Sequence, residues 1–249
     1  GMTAEGDTMP ISLIRSAWAG SAKYGALVWS GDIVSTFECF RRQVQAGLNM
    51  AVAGIPWWTT DIGGFHGART DDPDFHRLYI RWFEYGCFCP VMRLHGNRNP
   101  QEGYGAEQIG SGSDNEIWSF GDKAYEISKK YIFLRERLRD YIRTQMKKAH
   151  EDGTPMMRPV FYDFPTDQES WNVEDAYLFG PDLYVAPVME DHVTEREVYL
   201  PDGTAWFNAW TGEKYEGGQN VTVAAPMDII PVFVREGADT EHLLNIFSE

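Results

Sequence analysis

The stretch Lys23-Tyr-Gly-Ala-Leu-Val-Trp-Ser-Gly-Asp32 decides the fold. Ala26 to Trp29 is a short apolar run closed by small residues and then a carboxylate. A run of this length between glycines fits a buried strand of a parallel sheet. From Ser35 to Leu48 the pattern changes to helical spacing, with Phe37, Phe40, Val44 and Leu48 on one face. Asp32 therefore sits where a strand ends and the loop to a helix begins. In barrels of repeated βα units, that end of a strand is where chemistry is placed. The plainer role for an aspartate there is to cap the next helix or brace its loop.

Working outward, the same alternation recurs. Pro10 to Ile14 reads as a strand followed by Arg15 and Trp18, and Met50 to Ile55 as a strand followed by Pro56-Trp57-Trp58-Thr59-Thr60-Asp61. Asp72-Pro73 is helix-start chemistry, and Phe75, Leu78, Tyr79, Trp82 and Phe83 continue it at helical spacing. Phe88 to Leu94 reads as a fourth strand, delivering Arg93 and His95. A polar, glycine-rich loop is expected from Gly96 to about Asp114, then one long helix from Phe120 to His150. Beyond Gly153-Thr-Pro155 the texture changes to short strands punctuated by Pro201-Asp-Gly203, Thr211-Gly212 and Gly217-Gly218, the pattern of an antiparallel β domain. Trp206 and Trp210 in this region read as packing residues. The expected fold class is α/β: parallel βα units over residues 1–153, then an antiparallel β domain over residues 154–249.

The bulk composition narrows the partners. With 22 basic against 37 acidic residues, the net charge of −15 argues against nucleic acid or an anionic membrane. The sequence has no apolar run of membrane length and no signal-peptide pattern, which leaves the compartment open between cytoplasm and periplasm. Cys39, Cys87 and Cys89 form neither a metal pattern nor a disulfide framework. No cofactor or metal is expected, since no phosphate loop, dinucleotide fingerprint or HExxH occurs. Arg15, Trp29, Asp32, Trp57, Trp58, Asp61, Arg93 and His95 all follow strands of the first region. Charged groups that take hydroxyls, with an indole as floor, suit a neutral polyhydroxylated substrate.

Five ordered motifs carry a resemblance. Leu13-Ile-Arg-Ser-Ala-Trp18, Val28-Trp-Ser-Gly-Asp32, Gly54-Ile-Pro-Trp-Trp-Thr-Thr-Asp-Ile-Gly-Gly-Phe65, Met92-Arg-Leu-His-Gly96 and Gly153-Thr-Pro-Met-Met-Arg-Pro159 resemble glycoside hydrolase family 31, retaining α-glycosidases. The wording looks most like the α-xylosidase-type branch, ahead of α-glucosidase. The resemblance implies Asp32 as general acid/base, Arg15, Asp61 and His95 as ligands of sugar hydroxyls, and Trp29 and Trp58 as walls of the subsite. It also implies the C-terminal half of a (β/α)8 TIM-type barrel, strands five to eight, followed by an antiparallel β-sandwich. The family's nucleophile lies at the end of strand four, which has no counterpart here. A complete barrel takes about 250 residues, so the expectation is a portion of a longer enzyme, carrying the proton donor but not the nucleophile. Such a chain would show little activity alone and would self-associate or need the missing N-terminal half. The alternative is a non-catalytic sugar-binding or assembly module.

Overall fold

The computed structural model of the chain describes residues 6, 10–104, 109–237 and 239–248. Its first region is a parallel sheet of three strands in the order β1 (Ser12–Ile14), β2 (Ala26–Trp29) and β3 (Trp58–Thr59). Leu13 pairs with Leu27, and Val28 with Trp58. Between β2 and β3 runs helix α1 (Phe37–Val52), capped by the Thr36 hydroxyl, which accepts from the Cys39 amide at 3.1 Å. Phe40, Val44, Leu48 and Ala51 of α1 face the core. Met50 to Ile55 is not the expected strand. The helical period carries on through Ala51, and the helix stops only at Gly54, whose φ of 77° ends it in the left-handed region. A six-residue apolar run does not by itself distinguish a helix end from a strand.

Helix α2 (Pro73–Cys87) begins at Asp72 as expected, with the Asp72 carboxylate accepting from the Asp74 amide at 2.9 Å. The segment after it, residues 88–94, runs beside β3 without becoming a strand. Pro90 has no N–H to give, and the Thr59 hydroxyl takes over a ladder position by donating to Val91 O at 2.8 Å. The glycine-rich stretch, expected as a loop longer than a plain connection, carries strands. It contains a hairpin of β4 (Arg98–Tyr104) and β5 (Ile109–Ser113), with a register shift between Arg98 and Glu102. The long helix is two: α3 (Gly121–Arg137) and α4 (Arg139–Glu151), hinged at the fully buried Leu138.

The second region is antiparallel. Strands β6 (Met157–Arg158), β7 (Tyr177–Phe179), β8 (Leu183–Val185), β9 (Glu195–Leu200), β10 (Ala205–Asn208), β11 (Lys214–Glu216), β12 (Gln219–Ala224) and β13 (Val232–Arg235) are followed by helix α5 (Thr240–Ser248). Six of the strands form one sheet, ordered β11-β10-β13-β8-β7-β6, and β12 pairs with β9 as a second layer. Alternation along each strand gives the large sheet two apolar faces. Leu178, Tyr184, Trp206 and Phe233 pack toward Val198, Leu200 and Val223 of the second layer. Tyr177, Phe179, Leu183, Val185 and Val234 join the core that also holds Phe88, Tyr131 and α1. Trp206 and Trp210 are packing residues, their indoles donating to Pro201 O and Ile230 O.

The two regions share a clamp. Arg81 of α2, fully buried, donates to Glu84 and to the carbonyls of Val193, Ala225, Pro226 and Ile229. On the far side of the parallel sheet, β1 pairs among the described residues only with β2, and Ile11 and Leu13 are exposed beside that edge. No described helix is long and apolar enough to cross a membrane.

Candidate active site

The C-terminal ends of the three parallel strands bring most of the expected residues to one rim. Asp32 follows β2 by three positions, and Arg15 follows β1 directly. Their side chains meet at 3.2 Å. Both are largely exposed, so the pair holds orientation more than it adds stability. The Arg15 guanidinium also lies over the Trp29 ring, 5.2 Å from its centroid. Arg93 lies over the same ring at 5.9 Å and ion-pairs with Asp61. The result is a continuous line, Asp32–Arg15–Trp29–Arg93–Asp61, in which two guanidiniums join two carboxylates across one indole.

The two carboxylates sit in different surroundings. Asp32 is 43% exposed in its side chain, whereas Asp61 is fully buried. Asp61 gives Oδ1 to Arg93 and leaves Oδ2 buried, with no hydrogen-bond donor among the described residues. A buried acceptor without a donor is costly unless a ligand hydroxyl or water meets it. Ser30 Oγ, just past β2, is also buried without a partner among the described residues, as is the Trp57 indole N–H, a donor, just before β3. His95 stacks near Phe65, with ring centroids 5.3 Å apart. Partial burial lowers its pKa, and the guanidiniums of Arg93 and Arg98 add to this while Asp32 opposes. The imidazole is therefore neutral near pH 7, able to donate from one nitrogen and accept at the other.

Trp58 is not brought to this rim. It pairs with Val28, whose side chain faces the helix layer, and its indole packs onto α1 so closely that a Cβ on Gly47 would lie 2.7 Å from Nε1. Strand alternation puts Trp58 in the core and Thr59 on the opposite face, so Trp58 does not stand beside Trp29 at the rim. Among the described residues no three His, Cys, Asp or Glu side chains gather as a metal site.

Sequence reasoning missed Arg98, which is fully buried behind this rim. Its position in a polar, glycine-rich stretch reads as solvent-exposed, and only its spacing from Gly96 hints otherwise.

A parallel-sheet rim carrying two carboxylates, two arginines, an imidazole and an indole has the groups that can hold a polyhydroxylated ligand. Residues 1–145 match the family model described as the glycosyl hydrolases family 31 TIM-barrel domain, and residues 153–238 the family 31 C-terminal domain. The chain belongs to glycoside hydrolase family 31. It is a portion of the family's TIM barrel followed by the C-terminal β-sandwich domain.

Among solved structures it is similar to a family 31 α-xylosidase from a soil metagenome, complexed with xylose. The two are 53% identical with a TM-score of 0.94, over 98% of this chain and 37% of that one. A xylosidase from Aspergillus niger gives 36% identity and a TM-score of 0.84, over 96% of this chain and 35% of that one. The α-xylosidase of Saccharolobus solfataricus is 38% identical over 228 residues, 92% of this chain and 29% of that protein. Alpha-glucosidase 2 of Bacillus thermoamyloliquefaciens is 34% identical, over 92% of this chain and 27% of that protein. The chain thus spans about a third of the length of the relatives it matches.

Proposed function

We propose that this chain supplies the proton-donating half of a retaining α-glycosidase site that removes terminal α-linked xylose from oligosaccharides. Asp32 is the general acid/base, and Arg15, Trp29, Asp61, Arg93 and His95 hold the sugar in the cleaved subsite. The observation that carries this reading is the line Asp32–Arg15–Trp29–Arg93–Asp61, with a buried carboxylate oxygen free to accept at one end and an accessible carboxyl at the other.

A retaining mechanism needs two carboxyl groups about 5–5.5 Å apart, one attacking the anomeric carbon while the other protonates the leaving oxygen. Asp61 is a poor attacker, because it is fully buried and already ion-paired with Arg93. Its suits are hydroxyl binding and orientation. The attacking carboxylate is taken, as the family resemblance implies, from a barrel strand outside these 249 residues, and the chain alone is expected to turn over little or no substrate. Arg15 orients the Asp32 carboxyl, the Trp29 indole holds the Arg15 and Arg93 guanidiniums at the wall of the subsite, and neutral His95 takes a hydroxyl as donor or acceptor. The β1 edge, which pairs among the described residues only with β2 and leaves Ile11 and Leu13 exposed, is where the missing part of the barrel would join. That edge also favours self-association, by pairing with a second copy or with an N-terminal barrel half.

The decisive test is complementation. An aryl α-xyloside should not be turned over by the chain alone, should be turned over once a family 31 N-terminal half is supplied, and should again be inert with Asp32→Asn. Turnover by the chain alone would remove the missing-nucleophile part of the proposal. Preference for an aryl α-glucoside in the complemented enzyme would favour α-glucosidase specificity, the reading supported by the α-glucosidase relative. A sugar-binding module without chemistry is the second reading, favoured by Asp61 Oδ2, which needs a ligand hydroxyl but no reaction. Calorimetric xylose binding without turnover under complementation would select it.

A further inference from the structure

The cation behind the rim has no role in the reading above. Arg98 stands at the start of β4 and is fully buried. Its Nε donates to Asn115 Oδ1 at 2.7 Å, one Nη to Ser35 Oγ at 3.2 Å and Gly64 O at 2.8 Å, and the other to Ile62 O at 3.2 Å. The guanidinium plane lies over the Phe75 ring at 4.6 Å. Four donors of one planar fork thus reach three separate segments: the turn after Asp61, the loop after Asp32, and the strand-to-helix segment at Asn115. A lysine at this position could not span them, since its ammonium offers one point of attachment rather than a fixed fork.

The glycines around Arg98 make room for this arrangement. A Cβ on Gly96 would lie 2.5 Å from the guanidinium carbon, and one on Gly63 would lie 3.1 Å from Nη2. Gly64, at φ 76°, would drive a Cβ to 2.8 Å from Ser35. The backbones of the two rim loops are also laced directly. The Phe65 and His66 amides donate to Ile33 O at 2.7 and 2.9 Å, and the Ser35 amide to His66 O at 2.8 Å. Arg98 lies beneath that lacing and joins both loops to the segment that carries His95.

We propose that Arg98 is a positioning residue of the sugar site, whose guanidinium fixes the turn carrying Asp61 against the loop following Asp32 and so sets the relation between the two carboxylates. This rests on the sugar-site reading given above. The test uses the 249-residue chain, wild type and with Arg98→Lys, Arg98→Met and Ser35→Ala, followed by the indole N–H signals of nitrogen-15-labelled protein during xylose titration. The expected result is xylose affinity at least tenfold weaker in both Arg98 variants, despite the retained charge in Arg98→Lys. Ser35→Ala, which deletes one acceptor, should weaken it about threefold. The Trp29 signal should move in all three variants without sugar, while those of Trp206 and Trp210 in the β region stay in place. Arg98→Lys with wild-type affinity and an unmoved Trp29 signal would overturn the proposal. If wild-type chain binds no xylose, the sugar-site reading fails. The positioning claim then stands or falls on the sugar-free Trp29 signal. If the Arg98 variants do not fold, Ser35→Ala alone decides: an unmoved Trp29 signal and unchanged affinity would refute the role.

Discussion

Replacing Glu84 with Gln should change how the stability of this protein depends on pH, by an amount the structure sets. Glu84 is fully buried in α2, and burial pushes its carboxyl up to about 8 from 4.5, with Arg81 pulling the other way. The upward direction wins because Arg81 does not depend on Glu84. Four backbone carbonyls already surround the guanidinium, and the single bond to Glu84 is long at 3.2 Å. Glu84 Oε1 has no donor among the described residues, since the nearby Tyr131 hydroxyl gives its hydrogen to Asp228 O. The folded state therefore holds a proton that the unfolded chain releases. A raised pKa contributes stability that is full below about pH 4.5 and lost as pH rises through about 8. At roughly 1.4 kcal/mol per pH unit, the wild type should lose about 3 kcal/mol between pH 5 and pH 7 from this group. Glu84→Gln has no proton to lose. A new amide in that site shifts its whole curve by a constant, which leaves the slope as the signal. Urea unfolding of both proteins at pH 5, 6, 7 and 8 measures it. The difference between them should move by about 3 kcal/mol in favour of Gln from pH 5 to pH 7, and parallel curves would refute the assignment of a protonated Glu84.

Three further outcomes follow from local geometry. Gly64→Ala should cost about 3 kcal/mol, because it combines a left-handed φ with a Cβ driven into Ser35; melting should fall by about 6–12 °C, and a fall under 2 °C would show the loop can yield. Thr36→Ala removes the hydroxyl that accepts from the Cys39 amide and should cost about 1 kcal/mol in chemical denaturation. With an aromatic disulfide reagent at pH 8, Cys39 should react first in the native protein, since it is half-buried. Cys87 and Cys89, whose thiols burial pushes up to about 12, should react only after denaturant is added.

The parts of the fold legible in the sequence are those where one local rule dominates. Ala26 to Trp29 between glycines, Asp72-Pro73 before an apolar stripe, and the regular turn signals after Gly153 each specify an element without help from the rest of the chain. The misread parts are decided by contacts at a distance. Met50 to Val52 stays helical because Ala51 finds the core above Leu48, and the true strand is only Trp58–Thr59. Residues 88–94 have strand composition, but Pro90 has no N–H to give and Val91 O is taken by the Thr59 hydroxyl, so beside the Val91 amide's bond to Trp58 O no regular ladder forms. The rim residues were legible because each closes a strand or apolar run or follows one within three positions. Trp58 was not, since whether a strand residue faces helix or barrel depends on register. Arg98 was hard to read for a related reason: beyond its spacing from Gly96, an arginine in a polar stretch carries little sign that four distant acceptors converge on it.

The apolar interior is not divided between the barrel portion and the β region. Phe88 lies edge-on to Phe179 and parallel to Phe247, and its carbonyl accepts from the Tyr177 hydroxyl, while Trp210 meets Tyr131 and Phe247. Relatives cannot simply exchange their C-terminal halves. A chimera joined near residue 153 brings mismatched aromatic shapes to a dry seam, and its yield of folded protein should follow how well the donor reproduces Tyr177, Phe179, Trp210 and Phe247 rather than overall sequence identity.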